Sequence, residues 1–234
     1  MKRKKVAVCG PREISKEDLI TCRNLGSELS FKLGPGWDLI TGGTSGAPGE
    51  VVADCHAGDY RSPRTIAFVP FSNRREHNRF IDDWKQKTDE VECGLGEEVW
   101  RNKKTREIVK YPVCPFHERD FYDKVYYAPR IKSTGSLRGD LEIKAIQRIA
   151  PMIGASNLVV GFINPQAINT WTEIEIATKF DLPIVLLIPE IYGSNREIIE
   201  NTGRLNEETK GRLKVYSDPK EVAEFLRKYY GGIN

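Results

Sequence analysis

Residues 37–49 read Trp37-Asp-Leu-Ile-Thr41-Gly42-Gly43-Thr44-Ser45-Gly46-Ala47-Pro48-Gly49, and this stretch decides the fold. A short apolar run, WDLIT, ends in four glycines spaced G-G-x-x-G-x-x-G. A segment carrying Val51, Val52, Ala53 and Cys55 follows. The order is strand, glycine loop, helix. Upstream, Lys4 to Cys9 (KKVAVC) reads as a strand closed by Gly10-Pro11. Ser15 caps a helix through about Leu33, with Leu19, Ile20, Cys22, Leu25, Leu29 and Leu33 at helical spacing and Gly34-Pro35-Gly36 as its stop. Downstream, Thr65 to Val69 (TIAFV) reads as a third strand. The βαβαβ alternation calls for an α/β fold, a mostly parallel sheet with helices on both faces.

The rhythm breaks after Val69. Residues 71–140 contain 28 charged side chains in 70, against 41 in the other 164, so this segment reads as a charged inserted subdomain or lid within a single domain spanning 1–234. Its aromatic residues, Trp84, Trp100, Phe116, Phe121, Tyr122, Tyr126 and Tyr127, argue against plain disorder. EEVWRN, a Lys-Lys-Thr turn and REIVKYPV read as a hairpin. Alternation then resumes: a helix from Leu141 to Gly154 bent near Pro151, a strand NLVVGF (157–162), a helix from Thr170 to Phe180 capped by Asn169 or Thr170, strands PIVLLI (183–188) and RLKVY (212–216), and a closing helix from Pro219 to Tyr230.

Composition narrows the function classes. The chain has 234 residues, 39% of them hydrophobic and 29% charged, which is the make-up of a soluble globular protein. No apolar run approaches the roughly 20 residues of a membrane span, so no membrane partner is expected. The basic opening MKRKK leads into an apolar run too short for a signal peptide. Five cysteines, Cys9, Cys22, Cys55, Cys93 and Cys114, suggest free thiols in a reducing, cytoplasmic setting. A net charge of only +3 leads us to expect no nucleic-acid partner.

The chemistry-bearing signals lie in two loops. In Gly42–Gly49, glycines permit positive φ and close backbone approach, so exposed N–H groups can wrap an anion. Thr44 and Ser45 add hydroxyls, and the helix that follows adds the positive end of its dipole. A nucleotide or other phosphate-bearing small molecule is the natural guest. The spacing is neither a P-loop, since no Gly-Lys-Ser/Thr follows, nor the dinucleotide fingerprint, whose glycines follow the first strand. In INTWTEIEIA (168–177), Glu173 sits near a helix start at the carboxyl end of a strand, where open α/β sheets bind ligands. A carboxylate there can bind ribose hydroxyls or polarise water. Thr170 and Glu173 also fit the S/T-x-x-E capping box, a purely structural role.

These residues carry a resemblance. Gly42, Gly43, Gly46 and Gly49 match the G-G-x-x-G-x-x-G pattern of the lonely-guy (cytokinin-activating phosphoribohydrolase) family and related Rossmann-like nucleotide-binding proteins. Pro165, Thr170 and Glu173 resemble that family's P-G-G-x-G-T-x-x-E. Asn169 replaces a glycine there, and Pro165 aligns only with a short insertion. Arg148 stands at the offset of the family's catalytic arginine, and Cys9-Gly10 resembles its first-strand ending. The resemblance spans about residues 4–70 and 141–190. It implies a Rossmann-like fold, a homodimer or higher homo-oligomer, and hydrolysis of the N-glycosidic bond of a nucleoside 5′-monophosphate without a cofactor. In that scheme Glu173 and Arg148 are the catalytic pair, and Gly10, Gly42, Gly43, Thr44, Ser45, Gly46, Gly49, Asn169 and Thr170 hold the substrate and its phosphate. Two other readings of the same residues stay open: a non-catalytic nucleotide sensor and a carrier of a phosphate-like oxyanion.

Weaker candidates lie in the charged segment. Cys93, Cys114, His77 and His117 could ligate zinc, but no Cys-x-x-Cys pair supports them, and no metal is expected. Arg130, Lys132 and Arg138 could close over an anion, Tyr126 and Tyr127 could stack on a base, and Asn73, Arg74, Arg75 and Asn78 could face the cleft. A solvated basic loop, packing and a charged helix face are the respective alternatives.

Overall fold

The structure, a computed structural model, describes residues 3–56, 62–93, 97–102, 108–109, 116–129, 147–193, 198–199, 205 and 207–230. The principal strands are β1 (Lys4–Cys9), β2 (Trp37–Thr41) and β3 (Arg64–Val69). Three more strands follow in the charged segment: β4 (Thr88–Cys93), β5 (Glu97–Asn102) and β6 (Ile108–Val109). The last four are β7 (Lys124–Tyr127), β8 (Leu158–Phe162), β9 (Ile184–Leu187) and β10 (Lys214–Tyr216). The helices are α1 (Lys16–Leu33), α2 (Ala47–His56), α3 (Arg74–Lys87), α4 (147–154), α5 (Ile168–Lys179), α6 (Glu207–Arg212) and α7 (Pro219–Tyr230).

Seven strands form one sheet in the order β10-β9-β8-β1-β2-β3-β7, and every neighbouring pair is parallel. This is the Rossmann-like α/β architecture expected from the alternation. All residues of β2, β8 and β9 are buried, as a sheet covered on both faces requires. Alternate side chains feed two cores. Val6, Val8, Leu158 and Val160 pack with Leu25 and Leu29 of α1, Val51 of α2 and Val222 of α7. Ala7, Cys9, Ile40 and Val159 pack on the other face with Ile149 and Met152 of α4 and Trp171 and Ile174 of α5.

Residues 71–140 contribute to more than one element. α3 follows β3, β4–β6 make a separate antiparallel sheet, and β7 returns to the main sheet beside β3. The β5–β6 pairing agrees with the hairpin read from the sequence; its turn lies outside the described residues. A third apolar cluster, Val52, Ala67, Val69, Phe71 and Tyr122, joins this region to the sheet.

Strand order reverses between β1 and β8: successive strands run one way from β1 through β2 and β3, and the chain then crosses to β8 on the other side. That reversal opens a crevice at the carboxyl ends of β1 and β8, the place where open α/β sheets take ligands.

Candidate functional site

The crevice is framed by loops locked together by a buried carboxylate. Ser15 caps α1 in a capping box with Asp18: the Asp18 amide donates to Ser15 Oγ (3.1 Å), and the Ser15 amide donates to Asp18 Oδ2 (3.1 Å). Asp18 is fully buried. Asn164 Nδ2, from the loop after β8, donates to Asp18 Oδ2 (2.9 Å) and to the Glu13 carbonyl (3.2 Å). The Tyr192 hydroxyl, beyond β9, donates to Asp18 Oδ1 (2.7 Å). The loops after β1, β8 and β9 thus meet at one residue. The Ser15 cap was read from the sequence; Asp18 and its long-range partners were not.

Cys9, Arg148 and Glu173 lie at the head of the crevice. Arg148 is buried and reaches from α4 across the ends of two strands, its Nη1 donating to the Gly42 carbonyl and to the Phe68 carbonyl (3.1 Å). Its Nε is buried and has no hydrogen-bond partner. Burial weakens its hold on its proton, against the opposing effect of Glu173. Glu173 keeps some solvent contact yet is densely surrounded by protein, which places it in a recess rather than on an open face. Burial pushes its carboxyl from 4.5 up to about 7, against the opposing pull of the Arg148 cation and of the neighbouring Cys9 thiol. Among the described residues Glu173 makes no ion pair within 4.0 Å, so Arg148 acts on it through space. Burial also raises the Cys9 thiol well above its usual value, reinforced by the Glu173 charge. Thr170, one turn before Glu173 on α5, is fully buried, and its Oγ1 has no partner. Tyr122, also buried, lies close enough to Arg148 for its titration to respond to the arginine's charge.

The capping alternative for Thr170 and Glu173 is not what forms. α5 begins at Ile168, its N-cap is Ala167, and no side chain caps it. Thr170 therefore belongs to the first turn and Glu173 to the second, which leaves the Glu173 carboxyl for the crevice. Asn169 is exposed at the helix start.

The glycine loop is in place but covered. Gly43 and Gly46 adopt φ of +68° and +89°, as the sequence pattern requires. A Cβ at Gly42 would collide with the Arg148 guanidinium, one at Gly46 with the Arg12 backbone, and one at Gly49 with the His117 ring. Gly10 lies against Ala47, where a Cβ would come to 2.7 Å, and the Ala47 amide donates to the Pro11 carbonyl (3.0 Å). Phe116 bridges Thr44, and the His117 amide donates to the Gly43 carbonyl (3.2 Å). Ser45 is buried. Pro48 has no N–H, and the buried Glu50 carboxylate already occupies the first turn of α2, paired with Arg23 (2.9 Å). The loop thus has the backbone of a cradle, and protein groups now fill much of it.

His117, which sequence reading considered only as a metal ligand, pins this cover. Its ring stacks on Phe121 (4.0 Å between centroids), and its carbonyl pairs with His77 Nε2 (2.8 Å). Burial pulls its imidazole down to about 4. No group of three or more His, Cys, Asp or Glu able to hold a metal occurs among the described residues. Cys114 and the side chain of Cys93 lie outside them, as do Arg130, Lys132 and Arg138. Asn73 accepts from the Glu76 amide at the start of α3 (3.0 Å), and Arg74, Arg75 and Asn78 are exposed. Tyr126 stacks on Phe68 (4.9 Å), and Tyr127 packs edge-on to His77 (6.3 Å).

No family model and no curated protein matches the chain. Solved structures do. The fold is similar to that of the molybdenum cofactor binding protein from the phototrophic bacterium Rippkaea orientalis, at 18% identity over 98% of this chain and 99% of that one, TM-score 0.55. It is also similar to the molybdenum cofactor carrier protein from Chlamydomonas reinhardtii, at 18% identity over 97% and 98%, TM-score 0.50. DNA processing protein A from Helicobacter pylori, which binds single-stranded DNA, matches at 15% identity over 97% of this chain and 81% of that one, TM-score 0.50. Likeness at these identities establishes a shared Rossmann-like fold. It also corrects one expectation. The exclusion of nucleic acid drawn from a net charge of +3 does not hold, because the same fold serves single-stranded DNA binding in the Helicobacter protein. No helix among the described residues is long and apolar enough to cross a membrane.

Proposed function

We propose that the chain is a ligand-binding module that takes a phosphate-bearing small molecule, a nucleotide or a cofactor of similar make-up, in the crevice between β1 and β8. The observation that carries this reading is the pair of orphaned buried groups there. Arg148 Nε and Thr170 Oγ1 have no hydrogen-bond partner, and they stand beside a carboxyl poised near neutrality. Buried polar atoms without partners are costly, and a bound polar ligand relieves that cost. The Rippkaea and Chlamydomonas proteins bind or carry the molybdenum cofactor on this fold, which accords with a module whose first task is binding.

A second reading is favoured by Glu173 itself. A carboxyl at about 7 can give and take a proton at working pH, as hydrolysis of a nucleoside 5′-monophosphate at its N-glycosidic bond requires. In this lonely-guy-like scheme Glu173 engages the ribose or the attacking water. Arg148 stabilises developing charge through Nε and Nη2, since Nη1 is held by the Gly42 and Phe68 carbonyls.

One experiment separates the two. Purified protein and Glu173→Gln are titrated with a panel of nucleoside 5′-monophosphates, melting temperature and free base both being followed. Stabilisation without base release supports binding alone. Base release lost in Glu173→Gln supports hydrolysis. A panel that neither stabilises the protein nor releases base refutes a nucleotide ligand, and the same assay is then run with inorganic oxyanions.

A further inference from the structure

Neither reading uses His117, yet its ring lies on the loop that a phosphate would need. Its amide donates to the Gly43 carbonyl (3.2 Å) beside the antiparallel bridge between Thr44 and Phe116. The ring is packed flat on Phe121, 4.0 Å between centroids at an interplanar angle of 7°. Its Nε2 edge lies against Gly49, where a Cβ would collide with it. Gly49 belongs to the first turn of α2. In that turn the Ala47 amide is taken by the Pro11 carbonyl (3.0 Å), Pro48 has no N–H, and the Glu50 amide bonds the Gly46 carbonyl (2.9 Å). Gly49 thus carries the amide that the turn leaves for a guest, and the imidazole is packed on that residue.

The seat gives the imidazole nothing in return. Its Nε2 is buried with no hydrogen-bond partner, which costs the folded chain. What holds the ring comes from outside the loop. His77, on α3, is fully buried and lies flat on Phe71 (4.5 Å, 14°). Its Nε2 meets the His117 carbonyl at 2.8 Å; a carbonyl only accepts, so that nitrogen carries the proton and donates it. Phe71 also packs edge-on against Phe116 (5.2 Å).

We propose that the His117 imidazole is an autoinhibitory plug: in the ligand-free chain it occupies the Gly49 end of the glycine loop, where the anion of a ligand would sit, and His77 holds it there. This inference rests on the binding reading above and adds its regulation. Where a single carbon does not fit between Gly49 and the ring, a phosphate does not fit either, so the seated ring and a bound anion exclude one another. The anion makes the better occupant. It accepts from the loop and first-turn amides, whereas the imidazole edge makes no hydrogen bond there. The observed affinity is then that of the open loop multiplied by the fraction of chains whose ring is out of the seat. Glycine at 49 has a use even without ligand, since it gives the plug its room.

The test titrates the full chain with inorganic phosphate and follows the Gly43, Gly46 and Gly49 amides by nitrogen-15 NMR. His117→Ala removes the plug and keeps the backbone amide and carbonyl. It is expected to bind phosphate at least about threefold more tightly than wild type, as a plug seated about two-thirds of the time or more requires. His77→Phe keeps a ring to lie on Phe71 but loses the donor. It is expected to tighten phosphate by up to about tenfold, the effect of one neutral hydrogen bond on the seated state. His77→Gln, which keeps a donor, is expected to return toward wild type. A variant that merely loosens the fold has no reason to bind phosphate more tightly. Unchanged or weaker phosphate affinity in His117→Ala overturns the proposal, as does phosphate that binds without shifting the Gly49 amide, or that binds to none of these chains. The nucleotide panel on wild type reads the other claim. A panel that succeeds while His117→Ala gains nothing counts against the plug alone. A panel that fails while His117→Ala takes phosphate at Gly49 counts against the nucleotide alone.

Discussion

Replacing Glu173 by glutamine changes the pH dependence of folding in a direction that the crevice dictates. The carboxyl titrates at about 7 in the folded chain, against 4.5 for an ordinary glutamate, chiefly because burial penalises its charged form. Below pH 4.5 it is protonated folded or unfolded, and its contribution to stability is complete. Between pH 4.5 and 7 the unfolded chain gives up the proton first, so stability falls, and above 7 the loss is complete. At about 1.4 kcal/mol per tenfold change in proton affinity, the whole shift is worth about 3 kcal/mol. That is a ceiling, because the side chain keeps some contact with water. The amide of Glu173→Gln carries no charge and lacks this dependence. Urea denaturation of wild type and variant from pH 4 to 8.5 reads the difference directly. The two should match near pH 4, and the variant should gain up to the ceiling by pH 8. A flat difference curve would show that Glu173 sits in an ordinary solvated environment, and one in which the wild type gains on the variant as pH rises would show that the fold stabilises its carboxylate; either would remove the basis for a neutral-pH role.

His117 predicts the opposite slope. Burial lowers its imidazole from 6.5 to about 4, so wild type should lose up to about 3 kcal/mol relative to His117→Gln as pH falls from 6.5 to 4, measured by the same denaturation series. Gly42→Ala should cost about 2 kcal/mol or more, because its Cβ displaces the Arg148 guanidinium; Gly36→Ala, which meets nothing within 4 Å, should stay within about 0.5 kcal/mol. Asp18→Ala should cost about 3 kcal/mol, since it strands the Ser15 amide, Asn164 and Tyr192 together, whereas Tyr192→Phe should cost about 1 kcal/mol in the same thermal or urea assay.

The parallel core was legible because its physics is local. β1, β2, β8 and β9 are covered on both faces, so each reads as a short apolar run punctuated by glycine or proline. β7 escaped notice for the converse reason. It is a half-exposed edge strand, KVYY, with no apolar run to announce it, inside a segment whose charge suggested an insertion. Glu173 and the glycine loop were singled out from residue type and spacing, and Arg148 from the family resemblance. Their environment was not, because it is assembled from afar: Arg148 meets Gly42 across 106 positions, and Asn164 meets Asp18 across 146. The filling of the cradle by Phe116 and His117 arises the same way, from a pairing that no local pattern encodes. Thr170 and Glu173 show the reverse error, a genuine capping pattern left unused because α5 starts two residues earlier.

The cover formed by Phe116 and His117 has a kinetic corollary. Any ligand that places an anion against Gly43–Gly49 must first wait for the backbone bridge at Thr44–Phe116 and a stacked ring to part. Association would then be limited by that opening rather than by diffusion, and the observed rate would level off at high ligand concentration. Once the segment re-closed over the anion, departure would wait on the same event. Long residence would then be a property of residues 116–121 rather than of the groups that touch the ligand.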